Sequence, residues 1–308
     1  MAPNIHVVFD NSNIVFFPGQ HITGRVQINC NRYVTARSIN IKFKGFSKVH
    51  WTEQETRGTG DDRKTETVHY DSHEEYYKAK YCLWGDGCNH NQLPPGAHTF
   101  NFSFTLPYNI PSSFRSDYGK VQHEIEVKID VPMGIDIKKI IPYSVNEIYD
   151  LNRDQQALLP IELNKHKTVC CLCCRSGPIS IVLRVGRSGY VPGEAVVINA
   201  ECTNMSNRLV NHCKARIIEK VIHHARGKKK ESSRIVAEKA HPQIEPGESD
   251  IWSGEQLMVP ALPPSHLQHC HNINITYVLQ SNIPFIDGSI RVLLFEFGNI
   301  TPVQSFSK

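Results

Sequence analysis

The chain has 308 residues, which at roughly 100–200 residues per domain predicts two domains. Hydrophobic residues make up 40% and charged residues 21%, enough for packed cores and too apolar for a disordered chain. A formal net charge of +4 argues against nucleic-acid binding as the main task. No apolar run approaches the ~18 residues of a membrane-spanning helix. The opening Met1-Ala2-Pro3-Asn4-Ile5-His6 lacks a basic segment followed by an apolar one, so no secretory signal is expected. The ten cysteines are then expected to be mostly reduced.

Taken in chain order, the predicted elements are short strands. Pro18-Gly19 leads a strand over 22–28, followed by a long one over 34–51 in which Ile39, Ile41 and Phe43 share a face. Residues 52–92 read as a long loop, with a Tyr-rich stretch, 67–81, continuing a hairpin. Pro95-Gly96 precedes a strand with Phe100, Phe102, Phe104 and Leu106 inward. Over 121–131, Val121, Ile125, Val127, Ile129 and Val131 face one way and Gln122, Glu124, Glu126, Lys128 and Asp130 the other. His123 sits on the apolar face and reads as a hydrogen-bonded core histidine. A linker is expected over 149–176. Further strands follow at 179–185, 196–202, 209–224, 273–279 and 290–297, and no long amphipathic helix is visible.

The punctuation repeats. Pro18-Gly19 answers Pro192-Gly193 at an offset of 174, and Pro95-Gly96 answers Pro246-Gly247 at 151. Pro111-Ser112 answers Pro264-Ser265 at 153, and Val131-Pro132 answers Ile283-Pro284 at 152. The difference in offset falls on the longer loop of the first half. Ordered punctuation at a nearly constant spacing predicts an all-β chain of two similar sandwiches joined end to end.

Among chemical candidates, Cys170, Cys171, Cys173 and Cys174 form the densest cluster. Thiolates suit zinc, but adjacent residues on an extended segment point opposite ways, so one metal would take only some of them. Clustered cysteines also suit S-acylation, and they equally suit plain junction thiols. Cys82, Cys88 and His90, near His69 and His73, and the run His269-Cys270-His271 lack metal-ligand spacing in a chain with sixteen histidines. No nucleophile elbow, phosphate-binding glycine loop or catalytic carboxylate pair is present. Arg226, Lys228, Lys229 and Lys230, with Arg234, form the sharpest basic run. It suits an anionic lipid surface or an acidic cargo tail, or else a solvated hairpin tip.

Several blocks together resemble the arrestin domain-containing proteins, or α-arrestins. These are Phe9-Asp10-Asn11 with Phe17-Pro18-Gly19-Gln20-His21-Ile22-Thr23-Gly24-Arg25-Val26, then Gly45 through Glu53 with Val49 and Trp51. Pro111-Ser112-Ser113-Phe114 with Tyr118-Gly119-Lys120-Val121, and Cys170 through Ser180 followed by Gly189-Tyr190-Val191-Pro192-Gly193-Glu194, continue the likeness. The resemblance implies two arrestin-type, immunoglobulin-like β-sandwiches, at 1–148 and 177–300. The linker with the cysteine cluster, 149–176, would lie between them and a short tail, 301–308, would follow. It implies a non-enzymatic adaptor without cofactor or metal, acting in receptor or transporter trafficking, endocytosis and ubiquitin-linked sorting. The expected partners are cytoplasmic tails of membrane proteins, a ubiquitin ligase reached through a partner, and an anionic lipid surface, with no nucleic acid. The expected location is cytoplasmic, peripheral at plasma membrane and endosomes.

Departures narrow this. The Pro-Pro pairs read Pro94-Pro95-Gly96-Ala97 and Pro263-Pro264-Ser265-His266, with no Tyr in the fourth place to fill a WW-domain groove, so direct ligase recruitment is not expected. His123 and Glu126 stand where relatives commonly carry Tyr and Lys. The strand after Gln20 has no well-placed Asp and 138–145 no inward Arg, so the buried charge network of visual and β-arrestins is not matched. Ser249 precedes Asp250-Ile251-Trp252 where thioredoxin-binding relatives use a cysteine. Two other readings stay open: a metal- or thiol-dependent enzyme built on Cys170–Cys174, and a coat-like structural scaffold.

Overall fold

Alternating apolar and polar residues can bury only one face of a strand, and two such faces closing on each other make a sandwich. The computed structural model describes residues 3–58, 63–88, 90–148, 151, 154–171, 174–282 and 290–297. It is strand nearly throughout. The first eleven strands are β1 (Asn4–Phe9), β2 (Val15–Phe16), β3 (His21–Cys30), β4 (Val34–Ala36), β5 (Ser38–Arg57), β6 (Lys64–Gly85), β7 (Asn91–Leu93), β8 (Gly96–Thr105), β9 (Phe114–Arg115), β10 (Gly119–Asp130) and β11 (Ile137–Val145). After a 3-10 turn at Gln155–Leu158 come β12 (Ile161–Cys171), β13 (Cys174–Val185), β14 (Gly189–Tyr190), β15 (Ala195–Asn204), β16 (Lys214–Ala225), β17 (Lys228–Ala240), β18 (Ser249–Met258), β19 (Ile273–Asn282) and β20 (Ile290–Phe297). β12 thus occupies part of the stretch read as linker.

Two compact units result. The first holds Met1–Glu147 and takes in His223–Lys230 and Leu267–Ile273. One of its sheets is ordered β1-β3-β8. The other is ordered β2-β11-β10-β5-β6, with β9 on β10, and the short pair β4-β7 lies apart. Ile22, Val26 and Ile28 of β3 meet Ile39, Ile41 and Phe43 of β5 and Ile125, Val127 and Ile129 of β10 in one buried cluster. Phe43 stacks on Phe104 of β8 at 4.4 Å between ring centroids.

The first unit corrects the reading of 52–92 as a loop and extends the hairpin read over 67–81. β5 and β6 form one long hairpin, paired from Ser38↔Gly85 to Arg57↔Lys64. Its outer part alternates exposed with half-buried residues, but several of the half-buried ones are polar, such as Glu53, Glu55, Ser72 and Glu74, so no period of hydropathy marks it in the sequence. Cross-strand contacts sustain it, among them Trp51 stacked on Tyr70 at 5.1 Å.

Beneath the six-stranded sheet lies a buried polar chain. His123, fully buried, points inward from β10 as expected. Its Nε2 lies 3.0 Å from the Pro111 carbonyl oxygen, which only accepts, so Nε2 carries the proton. Nδ1 is therefore the acceptor, and the Tyr77 hydroxyl donates to it at 3.0 Å. With that proton committed, the Tyr143 hydroxyl donates to the Tyr77 oxygen at 2.6 Å. Burial holds the His123 pKa down at about 4, so the ring is neutral. Gly45 makes room for the stack. A Cβ there would lie 2.3 Å from Tyr77 Cε1 and 2.7 Å from His123 Nδ1.

The second unit holds Ile148–Ile222, Glu231–His266 and Asn274–Lys308. Its sheets run β12-β13-β15-β18 and β14-β20-β19-β16-β17. Ile179, Ile181, Leu183 and Val185 of β13, Val196, Ile198 and Cys202 of β15, and Ile275, Tyr277 and Leu279 of β19 are buried, on the predicted alternation. Glu219, buried on β16, accepts from Arg234 Nε at 2.6 Å and Nη2 at 3.0 Å, a fork that offsets the cost of burying the carboxylate.

Candidate functional site

The solvent face of the six-stranded sheet in the first unit carries the densest set of polar and charged groups aligned across strands. On β5, Lys42, Lys44, Phe46 and Lys48 share one face, two residues apart. Their cross-strand partners on β10 are Glu126, Glu124, Gln122 and Lys120. Lys120 is in turn opposite Arg115 of β9. Arg115, Lys120 and Lys48 therefore form a row of three cations at one level of three adjoining strands. Like charges directly opposite each other are normally unfavourable in a sheet.

Neighbouring groups arrange themselves around that row. Lys44 Nζ is clasped by Glu124 at 2.7 Å and Glu126 at 3.1 Å. Burial works against its charge, yet the hydrogen bonds to the two carboxylates win, and its pKa is raised. Burial likewise pushes the Glu126 carboxyl up, and Lys44 more than offsets it, so the net shift is downward. Lys120 Nζ donates to Gln122 Oε1 at 2.6 Å, and Gln122 Nε2 donates on to Glu124. Glu124 and Glu126 are thus engaged with Lys44, and Glu75 of β6, opposite Phe46 and lining the same face, pairs with Lys78 at 3.7 Å. Among the described residues, Lys48, Lys120 and Arg115 take part in no ion pair.

Phe46 lies beneath these cations, only 8% exposed. Lys48 Nζ stands 5.2 Å and Lys120 Nζ 5.8 Å from its ring centroid, so the lysine stems cover an apolar floor while their heads reach water. Two clefts flank the row. One of about 490 Å³ is lined by Arg115, Lys120, Gln122, His123, Tyr143 and Pro142 among others. The other, about 500 Å³, is lined by Lys42, Lys44, Phe46, Lys48, Lys120 and Gln122 among others. Lys120 and Gln122 belong to both, so the clefts adjoin across the row. The surface offers cations over an aromatic floor. It suits binding of an extended anionic segment.

The predicted site residues fall elsewhere. Arg226, Lys228 and Lys229 are exposed, at and beside the turn between β16 and β17, where Arg226 takes a left-handed φ of 48°. Lys230 is engaged: within the first unit it pairs with Glu53 at 3.0 Å and stands over the Tyr118 ring. Of the cysteine cluster, Cys173 lies outside the described residues, as do the side chains of Cys170, Cys171 and Cys174. Cys82 and Cys88 are exposed free thiols, and Cys270 is a half-buried one. Among the described residues, no three His, Cys, Asp or Glu side chains gather as metal ligands would. No helix of the described residues is long and apolar enough to cross a membrane.

The row of Arg115, Lys120 and Lys48 was missed in the sequence because Lys48 and Lys120 are 72 positions apart and meet only through strand register. The same-face spacing of Lys42, Lys44 and Lys48 was the one local signal.

Two strand-built units in tandem are also what comparison with known proteins finds. Residues 5–152 match the family model "Arrestin (or S-antigen), N-terminal domain", and 175–294 match "Arrestin (or S-antigen), C-terminal domain". Arrestin domain-containing protein 17 of Caenorhabditis elegans is 25% identical over 302 residues, covering 93% of this chain and 70% of its own length. Arrestin domain-containing protein 4 of Mus musculus is 30% identical over 294 residues, covering 92% and 68%. Arrestin domain-containing protein 1 of Homo sapiens is 25% identical over 295 residues, covering 96% and 64%. The chain spans about two thirds of the length of these relatives. It belongs to the arrestin family, as an α-arrestin, and that family is one of generally non-enzymatic trafficking adaptors.

Proposed function

We propose that this chain is an adaptor in membrane-protein trafficking that holds an acidic stretch of a cargo's cytoplasmic tail on the outer face of the first unit. The observation carrying this reading is the row Arg115–Lys120–Lys48, in no ion pair among the described residues and set between two clefts. An extended acidic segment laid across the strands would place carboxylates or phosphates over a row that is electrostatically unfavourable when empty. The exposed Arg226, Lys228 and Lys229 form a second, weaker contact for such a tail, with Lys230 held back by Glu53. The adaptor acts at the plasma membrane and endosomes in endocytic, ubiquitin-linked sorting. These 308 residues contain no Pro-Pro-x-Tyr, so it is not through that motif in the two sandwiches that a ligase is reached.

Fluorescence anisotropy with labelled peptides tests the reading. An acidic peptide should bind more tightly than a neutral peptide of the same length, and the preference should fade with salt. The double variant Lys48→Glu/Lys120→Glu should weaken that binding at least ten-fold and leave the melting temperature near that of the wild type. Equal binding by variant and wild type would refute the assignment.

A further inference from the structure

A different feature of the first unit stands apart from the sheet face. Between β10 and β11 the chain turns through Pro132, Met133, Gly134, Ile135 and Asp136. Met133 is 103% and Ile135 93% exposed, which leaves two large apolar side chains with essentially no protein contact. Met133 is moreover held at a φ of +55°, in the left-handed region that few side chains adopt. The turn is ordered, not frayed: Val131 N–H donates to Asp136 Oδ1 at 3.3 Å, and Lys128 pairs with Asp136 at 2.7 Å. The fold thus spends regular hairpin structure on presenting a methionine and an isoleucine to solvent.

Topology shows what surrounds the tip. Asp130 at the end of β10 is opposite Ser38 at the start of β5, and Ser38 is opposite Gly85 at the end of β6. β4 links β3 to that same start of β5. The β3–β4 turn, with Arg32 and the 63%-exposed Tyr33, and Arg37 therefore gather at the same end of the sandwich as Met133 and Ile135. Arg37 pairs with Asp130 at 2.7 Å. Lys138 and Lys139 follow on β11, both exposed and in no ion pair among the described residues, though Lys138 helps to lower the pKa values of Asp136 and Glu126. At this end Arg32, Arg37, Lys128, Lys138 and Lys139 outnumber Asp86, Asp130 and Asp136.

We infer that this end of the first unit is a membrane-docking tip, which inserts Met133 and Ile135 into the interfacial region of a bilayer containing anionic lipid. An apolar wedge collared by cations, with a tyrosine at headgroup level, is the arrangement an anionic bilayer surface favours. A protein partner fits less well. Two side chains on a narrow tip fall far short of the ~800 Å² per side of a stable protein interface, whereas insertion into lipid needs only the wedge. The inference does not depend on the cargo reading above, because it uses other residues and another ligand.

The test is co-sedimentation of the whole chain with vesicles of phosphatidylcholine alone and of phosphatidylcholine with phosphatidylserine, each at low and physiological salt. Binding is expected to the phosphatidylserine vesicles. Met133→Ser/Ile135→Ser should lower the partition coefficient at least ten-fold at both salts. Lys138→Ser/Lys139→Ser should lower it by up to about thirty-fold at low salt and less at physiological salt. All four side chains are exposed, so circular dichroism and melting should not change. In Ile135→Trp the new indole should shift to the blue on vesicles and be quenched by lipids brominated along the acyl chain. Unchanged partition of the apolar double variant, or an unquenched tryptophan, overturns the inference. So does loss by that variant of binding to immobilised cargo tail in the absence of lipid, because the tip would then be a protein contact.

Discussion

The hydrogen-bond chain under the six-stranded sheet has a direction, and that direction sets unequal costs for two nearly identical substitutions. Tyr143 donates to Tyr77, Tyr77 donates to His123, and His123 donates to the Pro111 carbonyl. Tyr143→Phe removes one donor and leaves the Tyr77 oxygen still donating to His123, a loss of about 1 kcal/mol. Tyr77→Phe leaves two buried groups without partners, the His123 Nδ1 acceptor and the Tyr143 hydroxyl. At about 1–3 kcal/mol for each, the cost is about 2–6 kcal/mol. The chain also couples stability to pH. The His123 pKa falls from 6.5 to about 4 on folding, so the unfolded state takes up a proton first as pH drops. The stabilisation is fully present above pH 6.5 and is lost as pH falls toward 4, by about 3 kcal/mol in all. Urea titrations of wild type, both tyrosine variants and His123→Gln at pH 7.5, 6 and 5 check both statements. The wild type should lose stability relative to His123→Gln as the pH drops. Equal costs for Tyr77→Phe and Tyr143→Phe would refute the assigned direction, and a constant difference from His123→Gln would refute the neutral buried imidazole.

Two further substitutions probe the same unit. Gly45→Ala should destabilise by at least about 2 kcal/mol in the same titrations, since its Cβ would press on Tyr77 and His123 in a packed interior. Glu147, whose pKa burial raises to about 7, favours folding fully below pH 4.5 and less as pH rises through 7. The group is half-exposed, so the loss is about 1–2 kcal/mol after screening, and Glu147→Gln should abolish that slope and be the more stable protein at pH 7.5.

Legibility in the sequence followed burial. β10 was readable because Val121, Ile125, Val127 and Ile129 share a buried face with polar residues between them. β13 and β19 were readable for the same reason. The β5–β6 hairpin was legible only in part: 67–81 read as a continuing hairpin, but past Trp51 the half-buried positions include Glu53, Glu55 and Glu74, so hydropathy carries no period there. His123 was legible as an inward residue, but Tyr77 and Tyr143 come to it from 46 positions before and 20 after, by strand pairing. The same limit hid the cationic row. The run at 226–230 stood out because its charges are consecutive, whereas Lys48, Lys120 and Arg115 are assembled only by register. Met133 and Ile135 gave no signal at all, since an apolar pair in a turn reads as core until the fold shows it uncovered.

The two proposed contacts of the first unit lie on one strand, and their separation constrains the cargo. Lys120 of the row and Asp130 at the foot of the tip are ten residues apart on β10. At about 3.3 Å per residue that is about 33 Å. With the tip in the bilayer and β10 standing away from it, an acidic stretch must reach about 33 Å from the membrane to lie on the row. An extended chain covers at most about 3.3–3.6 Å per residue, so roughly ten residues must separate the stretch from the membrane. Acidic peptides anchored to phosphatidylserine-containing vesicles through flexible spacers of about four, ten and twenty residues measure this. The short spacer should add little to the binding of either contact alone. The longer ones should add the avidity of two linked sites, provided the spacer spans the gap. Flexible spacers are rarely fully extended, so the gain should be larger at twenty residues than at ten. The same gain with four residues as with twenty would show that row and tip are not engaged together in this orientation. A gain that survives Met133→Ser/Ile135→Ser would show that the tip plays no part in it.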